Sequence, residues 1–208
     1  MNNKSKEVVI VSAIRTPIGT YKGSLKNMRS DQLGSIVIKE VLKKSKFCND
    51  EIDEVIMGQV LTGNTGQNPA RQAAMHAGIP KDKPAYIVNQ VCGSGLRSIA
   101  SAFQSIRSGQ AKIILAGGQE SMSLAPHAIH LRDGKKLGNA ELVDTMIKDG
   151  LWDAFNNYHM GITAENIAEK WNISRKEQDA FAVSSQLKAQ EAIKNKKFSE
   201  EIINGKLL

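Results

Sequence analysis

In the run Asn89-Gln90-Val91-Cys92-Gly93-Ser94-Gly95-Leu96, a thiol is followed closely by two glycines. Ala85-Tyr86-Ile87-Val88, released by Pro84, precedes it and reads as a strand. Leu96, Ile99, Ala100, Phe103 and Ile106 follow with a helical period that gathers them on one apolar face. Cys92 is therefore expected between a strand and the first turn of a helix. A helix N-terminus presents unpaired backbone N–H groups and a partial positive charge, so a thiolate is stabilised there. Gly93 and Gly95 remove side chains where the backbone turns sharply and where another group must come close. The same N–H groups can hold an oxyanion forming on a carbonyl attacked by the sulfur. The chemistry this points to is acyl transfer through a thioester. A buried, inert cysteine is the competing reading, because cysteine is among the most buried residue types. Local features alone leave both open for Cys92, while Cys48, in Lys46-Phe47-Cys48-Asn49-Asp50, is read as inert.

The elements that must position Cys92 alternate. Glu7 to Ala13 reads as a buried strand. A helix begins at Ser30 or Asp31, either serving as its cap, with Leu33, Ile36, Val37 and Val41 on its apolar side. Glu54 to Val60 is a second strand. Pro69 suits the first turn of a helix that Gly78 stops. Then come strand 85–91, helix 94–108 stopped by Gly109, and strand Lys112 to Ala116, closed by Gly117-Gly118. Strands alternating with helices imply a mostly parallel sheet with helices on its faces. The apolar face of helix 94–108 is expected to lie on that sheet. Residues 121 to 160 read as a long excursion. Helices from Thr163 to Trp171 and from Ser174 to about Lys194 follow, the latter opened by the capping-box pattern Ser174-Arg175-Lys176-Glu177. A soft boundary near Ser121 divides the chain into units 1–121 and 122–208.

Composition excludes several classes. The net charge is +7, but the basic clusters, Lys43-Lys44-Ser45-Lys46 and Lys194-Asn195-Lys196-Lys197, are read as solvated faces and have no interleaved aromatics, which argues against a stacking surface for single strands, and no nucleic-acid partner is expected. No apolar run approaches the length of a membrane span, and the N-terminus lacks the apolar core of an export signal. Two cysteines in such a chain point to reduced thiols and a cytoplasmic location. His76, on the helix after Pro69, is read as a surface residue. His127 and His130 have no ligand-like spacing to cysteines or acidic residues, so no metal site is expected.

Five segments, in order, resemble the thiolase family. Asn89 to Leu96 is similar to its acyl-intermediate signature. Arg15-Thr16-Pro17-Ile18-Gly19, Gly66-Gln67-Asn68-Pro69-Ala70-Arg71-Gln72, Ala116-Gly117-Gly118-Gln119-Glu120-Ser121-Met122-Ser123 and His159-Met160-Gly161-Ile162-Thr163-Ala164-Glu165-Asn166 are similar to its other signatures. The resemblance implies an α/β, thiolase-like fold of αβαβα layers, of which this chain holds the first half with most of an inserted, mainly helical loop domain. It implies that Cys92 is the acyl acceptor and that Leu151, His159 and Met160 line the channel for pantetheine and substrate. It also implies that residues 128–142 form a loop pairing dimers into tetramers, so the expected assembly is a homo-oligomer. The expected reaction condenses two acetyl-CoA to acetoacetyl-CoA, or reverses this by thiolysis. Coenzyme A thioesters (acetyl-CoA, acetoacetyl-CoA) and free coenzyme A are the expected partners, with no permanently bound cofactor.

The chain reaches about half the family's length. The resemblance places the activating histidine, the second cysteine and a water-holding asparagine in a second half that these 208 residues do not contain. The run Ile202-Ile203-Asn204-Gly205-Lys206-Leu207-Leu208 departs from the family's usual E-I-V-P, which leads us to expect a truncated or frame-altered reading frame. Two rivals follow: a non-catalytic fragment that binds a partner or coenzyme A, and a 3-oxoacyl synthase-like condensing enzyme sharing the fold and cysteine.

Overall fold

The structure, a computed structural model, describes residues 7–203. The departing run from Asn204 onward lies outside the described residues. The first part is built of α1 (Ser30–Ser45), β1 (Glu54–Gly58), α2 (Pro69–His76), β2 (Ala85–Val88), α3 (Ser94–Arg107) and β3 (Ile114–Gly118). The three strands form one parallel sheet in the order β2-β1-β3, with Val55 opposite Ala85 and Leu115, and Gly58 opposite Val88 and Gly118. The β1-α2-β2 connection joins neighbours, and the β2-α3-β3 connection runs the opposite way, across β1. Right-handed crossovers therefore put α2 and α3 on opposite faces.

Period-two alternation assigns the faces. Val55 and Met57 of β1 join Leu115, Ile38 and Leu42 of α1, Ala70, Ala73 and Ala74 of α2 with Ala77 at its C-cap, and Ile52 and Ile79 in one core. Ile56 and Gly58 point to the other face, where α3 packs, and both are buried. The alanines of α2 let that helix lie close to α1 and the sheet. Asn68 starts α2. Its side chain accepts the Arg71 N–H at 3.1 Å and donates to the Ala85 carbonyl at 2.8 Å, fastening the helix start to β2. Gly78 ends the helix at φ +87°, a conformation that glycine adopts freely.

Four expectations need correction. Glu7 to Ala13 forms no strand. Val9, Ile10 and Val11 are more than 60% exposed, and the nearest pairing is a lone bridge between Arg15 and Ile202. A strand needs a neighbour for its N–H and C=O groups, and among the described residues none lies beside this segment. Ser30 and Asp31 do not cap α1. Arg29 occupies that position, and both residues are buried inside the first turn. β3 takes in Gly117 and Gly118 instead of stopping before them. The apolar face of α3 does not lie on the sheet. Leu96 is 74% and Phe103 48% exposed, whereas Ser94, Ser98 and Ala102 are buried. Small side chains one helical turn apart let the α3 backbone approach β1 and β3 closely. Ser98 Oγ donates to the Gly95 carbonyl at 2.6 Å and lies 2.8 Å from the Gly117 carbonyl oxygen.

After β3 come two short antiparallel pairs, β4 (His127–Ala128) with β5 (Val143–Asp144) and β6 (Trp152–Asp153) with β7 (Tyr158–His159). A wide helical turn, Met146–Leu151, separates the pairs. The helices α4 (Met160–Lys170) and α5 (Arg175–Lys194) follow. Ser174 and Glu177 form the expected capping box at the start of α5. The chain then returns to the first part. Arg15 pairs with Glu201 at 2.8 Å and stacks over Phe198, and the Ile203 N–H donates to the Arg15 carbonyl at 2.9 Å. The Arg-Thr-Pro segment is thus an anchor for the returning chain.

Candidate active site

All three strands point their carboxyl ends at one edge of the sheet, and the chemically interesting residues gather there. In open parallel sheets that edge is where ligands bind. β1 runs into Gln59 and Val60, β2 into the Cys92 turn, and β3 into Gln119 and Glu120.

The Cys92 turn is tight. The Gly93 N–H donates to the Gln90 carbonyl at 3.0 Å and the Ser94 N–H to the Val91 carbonyl at 3.1 Å. Val91 sits at φ +49°, in the left-handed region that β-branched residues seldom enter. Cys92 is an exposed free thiol just ahead of α3, whose N-cap is Gly93. Strand, tight turn and helix therefore stand as the sequence anticipated, and Cys92 is not the buried residue of the inert reading. Cys48 is exposed as well, and its backbone N–H is tied to Glu51 Oε2 at 2.7 Å.

Glycines allow the turn to seat on the sheet. A Cβ on Gly58 would stand 2.4 Å from the Ser94 carbonyl carbon and 2.5 Å from the Gly95 nitrogen. A Cβ on Gly118 would stand 3.4 Å from the Gly95 Cα. The N-terminus of α3 is thus pressed against the ends of β1 and β3.

Beside it lies a buried polar layer. Gln119 Nε2 donates to Gln59 Oε1 at 2.9 Å, and Gln59 Nε2 donates to the Leu61 carbonyl at 2.9 Å. Glu120 Oε2 accepts the Val60 N–H at 2.8 Å and the Leu61 N–H at 3.3 Å. Burial pushes the Glu120 carboxyl above its ordinary range, against the backbone donors of Val60, Leu61 and Ser121. Ser121 Oγ donates to the Met28 carbonyl at 2.7 Å, carrying the same layer to the start of α1. This layer gives the Ala116-to-Ser123 segment a concrete task, which is to hold the loops after β1 and β3 at fixed depth. Sequence reasoning matched the segment but missed its partners, because Gln59, Val60 and Leu61 lie some 60 positions away.

The other expected site residues are placed as follows. Leu151 is half-buried at the end of the wide helical turn. His159 is exposed and caps α4, its Nδ1 accepting the Gly161 N–H at 3.0 Å. Met160 is 41% exposed at the first position of α4. The three lie together around the β6–β7 pair, through which Trp152 opposes His159. Among the described residues, no hydrogen bond or ion pair joins any of them to Cys92.

Fold and site together define an α/β protein with a thiol-bearing turn at the carboxyl edge of a parallel sheet. The thiolase N-terminal domain family matches residues 8–207, and the chain belongs to the thiolase family. It is 56% identical over 197 residues to an acetyl-CoA acetyltransferase of Paracoccus denitrificans, covering 95% of this chain and 50% of that protein. It is 55% identical over 203 residues to one of Rhizobium meliloti, covering 98% and 51%. A probable acetyl-CoA acetyltransferase of Escherichia coli matches at 51% over 199 residues, covering 95% and 51%. The chain spans about half the length of the curated relatives it matches. These names do not favour the synthase-like or partner-binding readings.

Proposed function

We propose that this chain supplies the acyl-accepting part of an acetyl-CoA acetyltransferase. The observation that carries the reading is the exposed Cys92 thiol, on a tight turn just ahead of α3, in a chain more than half identical to proteins of that name. The Cys92 sulfur, as thiolate, attacks the carbonyl carbon of acetyl-CoA. Backbone N–H groups at the start of α3 stabilise the oxyanion. The C–S bond to coenzyme A breaks, the coenzyme leaves as its thiolate, and the acetyl group remains as a thioester on Cys92. A second acetyl-CoA, deprotonated at its α-carbon, then attacks that thioester to give acetoacetyl-CoA and a free Cys92. Thiolysis runs the same steps in reverse.

Deprotonation at the α-carbon requires a positioned base. We assign that base to the half-length of the relatives beyond this chain, so these residues alone are expected to accept an acetyl group without turning over. The substrate-covering role goes to residues 122–208, with Leu151, His159 and Met160 lining the channel. This part of the reading rests on their adjacency around β6 and β7. Leu131, Leu137 and Leu142 are each at least half exposed, in keeping with a 128–142 loop that joins copies of the whole protein. We place the activity in the cytoplasm, in fatty-acid and ketone metabolism, with coenzyme A thioesters as substrates and no resident cofactor. Among the described residues no helix is long and apolar enough to cross a membrane.

The test is acylation. The chain is incubated with acetyl-CoA, quenched in acid, digested and mapped by mass. Acetyl on the Cys92 peptide, with matching release of free coenzyme A, is the expected result. Equal acetylation of Cys48, or none at Cys92, would overturn the reading.

A further inference from the structure

One side chain spans the Cys92 turn on its inner side. Ser94 is 4% exposed. Its Oγ accepts the Gln90 N–H at 2.9 Å and donates to the Val91 carbonyl at 2.6 Å. A serine at the start of a helix ordinarily turns its hydroxyl forward, onto the unpaired N–H groups of the first turn. Here it points backward. The N-cap of α3 is Gly93, which makes no side-chain cap bond, and the Ser94 hydroxyl is spent on the two residues before Cys92. What it holds there is strained. Val91 has φ +49°, and its β-branched side chain makes that region costly. Asn89 Oδ1 steadies the same residue by accepting its N–H at 2.9 Å. The Ser94 backbone packs directly on β1, its carbonyl carbon 2.4 Å from where a Cβ on Gly58 would stand.

We propose that Ser94 is a positioning residue for the Cys92 thiol. By bonding Gln90 and Val91 across the turn, it keeps Val91 left-handed and so holds Cys92 at the N-terminus of α3. The proposal rests on reading Cys92 as the acyl acceptor. Without the hydroxyl, the Gln90 N–H loses its acceptor and only the Asn89 side chain and the backbone bonds of Gly93 and Ser94 oppose the strain, so Val91 shifts toward negative φ and carries the thiol away from the helix N–H groups. Glycine at position 91 adopts positive φ without strain, so it should remove the need for the lock.

The experiment measures carbamidomethylation of Cys92 by limiting iodoacetamide, with Cys48 as the internal reference, by peptide mapping. The parent chain, Ser94→Ala, Ser94→Thr and the double variant Ser94→Ala with Val91→Gly are compared. Cys92 should label faster than Cys48 in the parent. Ser94→Ala should lower the Cys92-to-Cys48 ratio about fivefold, as expected for losing one to two hydrogen bonds. Ser94→Thr keeps the hydroxyl and should keep the ratio, and Val91→Gly should restore it in the Ser94→Ala background. If Ser94→Ala does not fold, the double variant carries the comparison. A folded double variant with the parent ratio supports the proposal, and an unfolded one assigns Ser94 to general stability and overturns it. An unchanged ratio in Ser94→Ala overturns the positioning role while leaving Cys92 as the acceptor. Equal labelling of both thiols in the parent overturns the reading of Cys92 itself.

Discussion

Gly58→Ala adds one methyl group where the structure has no room for it. The new Cβ would lie 2.4 Å from the Ser94 carbonyl carbon, 2.5 Å from the Gly95 nitrogen and 2.6 Å from the Ser94 oxygen. All three obstacles are backbone, so no rotamer change can relieve them. Ordinary contact requires 3.4–4 Å, and α3 must therefore retreat by about 1 Å. The retreat strains the close approach of Ser98 Oγ to the Gly117 carbonyl, now 2.8 Å, and opens the seat of Gly95 on Gly118. Overpacking of a filled core costs about 1–3 kcal/mol, and a weakened hydrogen bond adds about 1 kcal/mol. The expected loss is about 3 kcal/mol, read as a lower urea midpoint at constant m. Gly117→Ala is the internal control. Its Cβ would meet only the end of the Met57 side chain, Sδ at 3.7 Å and Cε at 3.8 Å, both ordinary contacts, and it should cost less than about 1 kcal/mol. The reasoning is refuted if Gly58→Ala unfolds within about 0.5 kcal/mol of the parent, or if Gly117→Ala costs as much.

Two further outcomes are expected. Asp31 is buried and takes two bonds from Arg29, at 2.9 and 2.8 Å, with His76 Nδ1 at 3.2 Å. The Arg29 hydrogen bond holds its carboxyl below the usual range, against the opposing effect of burial. A depressed carboxyl contributes stability above its unfolded value of about 3.9 and loses it as pH falls through the folded value. Asp31→Asn should therefore cost about 2 kcal/mol at pH 7, with the gap in urea midpoints narrowing below about pH 4; a gap that stays constant would count against the pairing. Leu96 and Phe103 stand exposed on the outer face of α3, Phe103 about half so, so replacing both with serine should lower hydrophobic-dye binding and self-association at a cost in stability of no more than about 2 kcal/mol. Light scattering and a melt check both, and undiminished association would place the sticky surface elsewhere.

The sequence by itself determined what depends on neighbours within a few residues. Gly78 and Gly109 end their helices at positive φ, Ser174 and Glu177 box the start of α5, and Pro69 opens α2. The strand–glycine–helix frame around Cys92 is local in the same sense, as are the five segments that tie the chain to its family. Tertiary structure decided what depends on surfaces distant in the chain. Period alone put Leu96, Ile99 and Phe103 on one face of α3, but it did not say which surface that face would meet. Ser94, Ser98 and Ala102 also recur every turn, and the sheet accepted this smaller stripe because Gly58 and Gly118 let backbone approach backbone. Glu7 to Ala13 has the composition of a strand and no ladder, since pairing requires a second strand that composition cannot supply. The left-handed Val91 was equally hidden. Nothing in a valine announces positive φ, and it is kept there by Ser94, whose hydroxyl bonds back across the turn and whose backbone packs on Gly58, thirty-six positions earlier in the chain.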